Sequence, residues 1–177
     1  MSKEKLIFYF GYGSNMSLKY LQGRRGVYPV ESYPGVLKGF SLIMNMEGPI
    51  FVEPSFANII KNEQGSVEGV LHLITKNELQ KIINTEGENY ELTELSVRLN
   101  GKKVDARTLI YKTSSSIDTP PSRRYMRILI KAAKSSGLSA EYISSLERRP
   151  YVYYPILSEI YAIRVFYWVW SRSRIKT

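Results

Sequence analysis

Two short stretches of this sequence hold residues that could do chemistry. The first, FGYGSNM at residues 10–16, follows an apolar run and carries two glycines, Gly11 and Gly13. Glycine lets the backbone approach a ligand closely, so successive N–H groups can point at one anion. The second, TEGENYE at residues 85–91, offers carboxylates for proton transfer. From the first loop alone, a tight turn is still the favoured interpretation.

The residue types that the sequence lacks exclude several classes of site. Without cysteine, the chain cannot form a disulfide, a thiolate zinc site, an iron–sulfur cluster or a cysteine nucleophile, and it suits a reducing cytosol. Its one histidine, His72, lies in the strand-like run VEGVLHLIT, where a ring satisfied by hydrogen bonds is the simplest interpretation. A Walker sequence and the third glycine of a dinucleotide fingerprint are missing. We therefore predict a cytoplasmic protein with no metal and no cofactor.

Apolar alternation predicts strands that are joined mostly by short turns. Residues 6–10 read as the first strand, and MSLKYLQG after the loop reads as a short helix closed by Gly23. Residues 62–65 are a turn signal that predicts a hairpin within SFANIIKNEQGSVEGVLHLIT. Asn100 and Gly101 predict the turn of a second, clearer hairpin.

Helices are few in the predicted pattern. Thr75 and Glu78 form a capping-box pattern that opens a short helix leading to the acidic stretch. After Pro120-Pro121, RRYMRILIKAAKSSG has helical spacing and stops at Gly137, and SAEYISSLE predicts a further helix. The 177 residues suit a single domain over 1–177. We predict an α+β fold, a small mixed or antiparallel β-barrel with flanking helices, and no membrane span.

The net charge of +9 would suit a nucleic acid or an anionic membrane. The basic residues cluster weakly and outside any recognisable nucleic-acid module, so a solvated basic surface is the favoured interpretation. The last segment, SEIYAIRVFYWVWSRSRIKT, is dense in aromatic and β-branched residues. It fits a strand or an interfacial helix, and its composition favours packing or oligomerisation.

Three separated motifs together resemble those of the γ-glutamylcyclotransferases. FGYGSNM ends the first strand, EGENY lies in the middle of the chain, and PPSRRY opens a late helix. The resemblance extends from about residue 6 to about residue 146, whereas the tail over 148–177 is divergent. It implies the small mixed barrel with flanking helices of that family.

The resemblance also implies roles for individual residues. Glu86 matches the catalytic glutamate, with Glu88 as its rival, and the position directly before glycine favours Glu86. Tyr125 matches a tyrosine that contacts substrate, and Tyr90 matches a supporting tyrosine. The loop that would hold the γ-glutamyl group comprises Gly11, Tyr12, Gly13, Ser14 and Asn15.

The implied reaction releases 5-oxoproline from a γ-glutamyl compound and needs no protein nucleophile. The substrate's own α-amine attacks the γ-carbonyl and expels a free amino acid or amine, with Glu86 moving the proton. The substrate is open among γ-glutamyl amino acids, which the motifs favour, γ-glutamylamines and glutathione. The alternatives are a binding protein that kept the pocket without turnover and a basic nucleic-acid-binding protein. The expected partner is a small γ-glutamyl molecule, with no nucleic acid and with a homodimer left open.

Overall fold

The computed structural model describes residues 5–49, 52–154 and 157–174, so both ends of the predicted domain lie outside it. Within these residues, five strands close into a barrel in the order β1-β3-β2-β4-β5. All neighbouring strands are antiparallel except β1 and β5, which are parallel. The strands are β1 (Leu6–Gly11), β2 (Glu31–Glu47), β3 (Ser55–Thr75), β4 (Tyr90–Leu99) and β5 (Lys102–Tyr111). The predicted α+β barrel with flanking helices is confirmed.

The first strand is apolar throughout because both of its faces are covered. Phe8 and Phe10 pack in a core with residues of helices α3 (Arg123–Ser135) and α4 (Ala140–Glu147). Ile7 and Tyr9 belong to a second cluster against helix α2 (Lys76–Glu86). Alternate residues of a strand point to opposite faces. A strand buried on both faces therefore reads as an unbroken apolar run, and it holds the following loop between two packed layers.

The two hairpin predictions have different outcomes. Asn100 and Gly101 form the two-residue turn between β4 and β5, both with positive φ, as the twist of a hairpin requires. The hairpin predicted at residues 62–65 is wrong, because β3 continues through them as one strand that pairs with β2 on either side of them. The register shifts there, from Lys38 opposite Ser66 to Phe40 opposite Lys61, so the turn-forming residues make an irregularity in a bent strand.

The helices begin where the sequence places caps. The Thr75 side chain accepts from the Glu78 N–H, and Glu78 bonds back to the Thr75 N–H, so the capping box is confirmed. The first helical segment does not end at Gly23 as predicted, because it continues to Gly26, which has the left-handed φ of 60° typical of a helix end. The helical segments are a 3₁₀ turn (Ser14–Met16), α1 (Leu18–Tyr20), a π turn (Leu21–Arg25), α2 (Lys76–Glu86), α3 (Arg123–Ser135), α4 (Ala140–Glu147) and α5 (Leu157–Arg174).

The divergent tail forms helix α5, so the helical alternative for this segment is the one that holds. Val169 is buried, while Ile163 and Tyr167 are 66% and 67% exposed. One face of α5 therefore packs on the protein and another faces solvent. Among the described residues, no helix is both long enough and apolar enough to cross a membrane.

Gly87 ends helix α2 in a backbone conformation that only glycine adopts without strain. Its φ is 98° and its ψ is 178°, and nothing lies within 4 Å of the position that a Cβ would take. We expect Gly87→Ala to lower the free energy of unfolding by about 1–3 kcal/mol, because the cost is purely that of the backbone. Urea denaturation measures it. Gly23→Ala is the matched control, since its Cβ position is equally open and its φ is not positive; an equal loss in both variants would contradict this account.

Candidate active site

A cavity of about 540 Å³ lies where the first loop, the end of α2, the start of α3 and helix α5 meet. This volume is in the range of small-molecule sites, about 300–1,000 Å³. Residues that are far apart in the sequence therefore line the same cavity. The lining includes Tyr9, Tyr12, Gly13, Ser14, Asn15, Arg25, Thr85, Glu86, Tyr90, Arg124, Tyr125, Arg164 and Trp168.

The Glu86 carboxylate is held on one oxygen. Asn15 Nδ2 donates to Glu86 Oε1 at 2.8 Å, and Arg25 Nη2 donates to the same oxygen at 2.6 Å. These are the hydrogen bonds that described residues make to this carboxylate, and the side chain is 17% exposed. Oε2 is therefore the oxygen that is left to meet a ligand. Glu88, the rival carboxylate, is exposed and does not line the cavity.

Arg25 ties the two predicted motifs together. Its Nε donates to Asn15 Oδ1 at 2.9 Å, and its Nη1 donates to the Thr85 hydroxyl. Its guanidinium also lies 5.5 Å from the centre of the Tyr20 ring. Burial acts to lower the pKa of Arg25, but the Glu86 carboxylate and nearby tyrosines outweigh it, and the pKa is raised. The guanidinium is thus a fixed positive charge beside the cavity.

Sequence reasoning missed the role of Arg25. The pair Arg24-Arg25 reads as a weak basic cluster on a solvated surface, yet Arg25 is only 2% exposed. No local pattern distinguishes it from its neighbour, because its partners lie 10, 60 and 61 residues away. Arg25 is the last residue of the π turn, directly before Gly26, and its side chain is buried there.

The glycine loop is tight because its backbone turns back on itself. A Cβ on Gly11 would lie 2.7 Å from the Asn15 carbonyl oxygen, closer than a Cβ carbon approaches an oxygen to which it is not bonded. The same carbonyl lies 2.9 Å from His72 Nε2, and the Ser32 hydroxyl lies 2.8 Å from His72 Nδ1. Because a carbonyl only accepts, Nε2 carries the proton and Nδ1 accepts from Ser32. The expectation of a strand histidine satisfied by hydrogen bonds is confirmed, and the ring also fixes the loop.

Gly13 is needed for space and not for a positive φ. Its φ is −107°, so this residue does not adopt the left-handed conformation that favours glycine. A Cβ there would lie 3.2 Å from the Tyr125 hydroxyl oxygen and 3.5 Å from the Ala57 Cβ. A larger side chain at position 13 would therefore fill the space between the loop and Tyr125.

The tyrosines of the cavity differ in what their hydroxyl groups can do. The Tyr125 hydroxyl accepts from the Ala57 N–H at 3.1 Å, so its own proton is available to a ligand. Burial raises the pKa of Tyr125, which keeps that proton in place. The Tyr12 hydroxyl donates to the Leu109 carbonyl at 2.6 Å, so only its ring and backbone are available. Tyr90 is half-buried. Its pKa is raised, chiefly by burial and to a smaller extent by the nearby negative charge of Glu86.

The PPSRRY motif places Tyr125 through a buried carboxylate. The Ser122 hydroxyl accepts from the Tyr125 N–H at 3.0 Å and caps α3. The same hydroxyl donates to Glu53 Oε2, and Arg124 Nε donates to Glu53 Oε1 at 2.6 Å. Glu53 is fully buried. Buried Glu53 therefore fixes the start of α3, and Tyr125 lines the cavity.

The structure brings every candidate site residue to this cavity except Gly11, which shapes the loop behind it. No group of three histidine or acidic side chains within residues 5–49, 52–154 and 157–174 could hold a metal. The arrangement combines a held carboxylate, backbone N–H groups at the start of a helical turn, and a tyrosine donor. Such a set can move a proton and stabilise negative charge.

Known proteins resemble this chain in sequence and in fold. The AIG2-like family model matches residues 66–146. The chain is 25% identical to γ-glutamyl cyclotransferase aclK of Aspergillus oryzae, over 86% of this chain and 64% of that protein. It is 26% identical to γ-glutamyl cyclotransferase gliK of Claviceps purpurea, over 92% of this chain and 79% of that protein. A solved structure described as a γ-glutamyl cyclotransferase superposes with a TM-score of 0.74 at 23% identity, covering 91% of this chain and 98% of the other, which shows a common fold.

His72 should make the stability of the protein depend on pH. Burial lowers the pKa of His72 to about 4, although the hydrogen bond to Asn15 acts to raise it. Below pH about 6.5 the unfolded chain binds a proton at this residue that the folded chain does not. The free energy of unfolding should therefore fall as pH drops from about 6.5 to about 4. The contribution of His72 to this fall is at most about 3 kcal/mol, and above pH about 6.5 His72 should not affect the pH dependence.

Urea denaturation at pH 7.0, 6.0 and 5.0 measures this dependence. His72→Gln is the comparison, because an amide can still donate to the Asn15 carbonyl but does not titrate. We expect the free energy of unfolding to fall less steeply with decreasing pH in the variant than in the wild type, whatever the stability of the variant at pH 7. Identical slopes in the two proteins would exclude His72 as the source.

Proposed function

We propose that this chain, which belongs to the γ-glutamylcyclotransferase (AIG2-like) superfamily, is a γ-glutamylcyclotransferase that releases 5-oxoproline from γ-glutamyl amino acids or related γ-glutamyl amides. The observation that carries the proposal is the Glu86 carboxylate, held by Arg25 and Asn15 with one oxygen free beside the glycine loop. The names of the fungal relatives give the same reaction class.

The glycine loop would bind the α-carboxylate of the γ-glutamyl group. Ser14 and Asn15 begin the 3₁₀ turn and line the cavity. The first N–H groups of a helical turn have no acceptor within the turn, so they are available to an anion. Fixing this end of the substrate brings its α-amine to its own γ-carbonyl. Well-oriented intramolecular attack is worth an effective molarity of about 10⁵–10⁸ M.

Glu86 would move the proton that this attack requires. An α-ammonium group with a pKa of about 8 has no lone pair, so it must lose a proton before it becomes a nucleophile. Oε2 of Glu86 is the acceptor in our proposal, since Oε1 is engaged by Arg25 and Asn15. The C–N bond of the amide breaks as the five-membered ring closes. The same carboxyl then returns the proton to the leaving nitrogen, and the second proton lost by the α-nitrogen follows it, so that the amine leaves as an ammonium ion.

Tyr125 would stabilise the oxygen that becomes negative during the attack. Its hydroxyl accepts from a backbone N–H and therefore directs its own proton elsewhere. A donor fixed in advance by packing stabilises developing charge without a cost of reorganisation. Phe56 packs edge-on against the Tyr125 ring with centroids 5.0 Å apart, which keeps it in place.

Glu86→Gln should abolish most 5-oxoproline release while preserving the shape of the side chain. Purified protein is tested with γ-glutamyl-alanine, γ-glutamyl-lysine and glutathione. Because the substitution removes the partner charge of buried Arg25, unfolding is measured in parallel, and Glu86→Asp serves as a second variant that keeps the charge but withdraws the carboxylate. Glu88→Gln is the matched control and should retain turnover. Wild-type turnover in Glu86→Gln would exclude this base.

Tyr125→Phe should lower kcat by about 10²-fold, the usual cost of losing one donor to a developing oxyanion, with a smaller change in KM. The ring and its contact with Phe56 remain, while the Ala57 N–H loses its acceptor. Steady-state release of 5-oxoproline measures both constants at a temperature where the variant is folded. Tyr28→Phe is the control, because Tyr28 is 64% exposed and does not line the cavity. An unchanged kcat in Tyr125→Phe would leave the backbone N–H groups as the oxyanion donors.

A further inference from the structure

We propose that Arg24 of the π turn and Arg164 of helix α5 form a subsite for a carboxylate on the leaving group of the substrate, beside an apolar wall made by Val165 and Trp168. The inference rests on the proposed function and narrows its substrate class. It selects γ-glutamyl compounds whose leaving group is an amino acid with a bulky apolar side chain, and it disfavours γ-glutamylamines.

The charges around the cavity are the first observation. Four arginines line it: Arg24, Arg25, Arg124 and Arg164. Arg25 is paired with Glu86 at 2.6 Å, and Arg124 is paired with buried Glu53 at 2.6 Å. No salt bridge within the described residues includes Arg24 or Arg164. The cavity therefore carries two cations that no described carboxylate neutralises.

The position of Arg24 is fixed by aromatic rings. Its guanidinium lies 4.8 Å from the centre of the Tyr20 ring and 5.6 Å from the centre of the Phe166 ring on α5. Stacking on ring faces leaves the in-plane N–H groups of a guanidinium available, and these are the groups that bind a carboxylate. Phe166 thereby joins the π turn to α5, on the same helix as Arg164.

Helix α5 supplies the rest of the subsite. Arg164, Val165, Trp168 and Val169 all line the cavity, at the i, i+1, i+4, i+5 spacing of one helix face. Arg164 is exposed, so it lies at the opening of the cavity, whereas Val169 is buried. An indole and a valine beside two cations suit a ligand that is apolar in its body and anionic at one end.

The subsite and the reacting groups use different side chains of one cavity. Glu86 lies at the end of α2 and the glycine loop follows β1, whereas Arg24 lies in the π turn and Arg164 on α5. In the proposed function the glycine loop binds the α-carboxylate of the γ-glutamyl group. Arg24 and Arg164 are then available to the second carboxylate of the substrate, which belongs to the leaving amino acid.

The test compares γ-glutamyl-phenylalanine with its carboxamide, which has the same shape without the charge. We expect the wild type to prefer the acid by about tenfold in kcat/KM, since one charge-assisted hydrogen bond at an exposed site has about that effect. Arg24→Gln and Arg164→Gln should each reduce the preference, chiefly by raising KM for the acid, and the double variant should abolish it. Activity on the carboxamide should change little.

Two matched controls separate the subsite from general effects. Arg98→Gln removes an exposed positive charge from β4, away from the cavity, and should keep the full preference. Trp168→Ala should lower kcat/KM more for γ-glutamyl-phenylalanine than for γ-glutamyl-alanine. Ile163→Ala, on the exposed face of the same helix, should lower neither.

The outcomes distinguish this inference from the proposed function. An active enzyme that shows no preference for the acid, or the same preference in both arginine variants, overturns the subsite and leaves the reaction intact. A wild type that releases no 5-oxoproline from these two compounds, nor from γ-glutamyl-alanine, γ-glutamyl-lysine or glutathione, overturns the reaction instead. Calorimetric dissociation constants for the two compounds then decide the subsite: tighter binding of the acid that is lost in the double arginine variant supports it, and equal or absent binding overturns it.

Discussion

The buried charge of Arg25 is the constraint on which the candidate site depends. A guanidinium that is 2% exposed is costly to remove from water unless its N–H groups are satisfied. Here Asn15, Thr85 and Glu86 accept from it, and these residues come from the first loop and from the end of α2. Any movement of either segment would leave a buried cation unpaired. The need to satisfy one charge thus fixes the distance between the loop and the carboxylate.

The remaining parts of the site are held by the same kind of arrangement. His72 on β3 fixes the Asn15 carbonyl, and Glu53 fixes the start of α3 through Ser122 and Arg124. In each case a buried polar group outside the proposed set of reacting groups satisfies a backbone or hydroxyl group next to it. A buried network in which every polar group is hydrogen-bonded is rigid and specifies one geometry. Breaking any of its hydrogen bonds leaves a buried polar group with no partner and no water to replace it. The site is consequently positioned by the barrel and not by the loops alone.

Local features were predictable from the sequence, and distant partners were not. The Thr75 capping box and the Asn100-Gly101 turn depend on neighbouring residues, and both are confirmed. Residues 62–65 contain the same turn-forming types, but the pairing of β3 with β2 on both sides of them keeps β3 a single bent strand. Helix α5 forms despite its β-branched and aromatic content, because packing outweighs intrinsic preference. The motifs predict that Glu86 and the glycine loop belong to one site, and both line one cavity. No sequence pattern reveals Arg25, since only the fold brings it to its partners.

The parallel contact between β1 and β5 bears on the order in which the molecule is assembled. Phe8 pairs with Ala106 and Tyr9 with Arg107, which lie almost a hundred residues later in the chain. During synthesis β1 can find β3 first, but the barrel closes only after β5 has emerged. Contacts between such distant segments form slowly, because a long loop must be ordered before they contribute. Until that moment the second edge of β1 lacks its partner strand, so the newly made chain depends on rapid closure to avoid self-association.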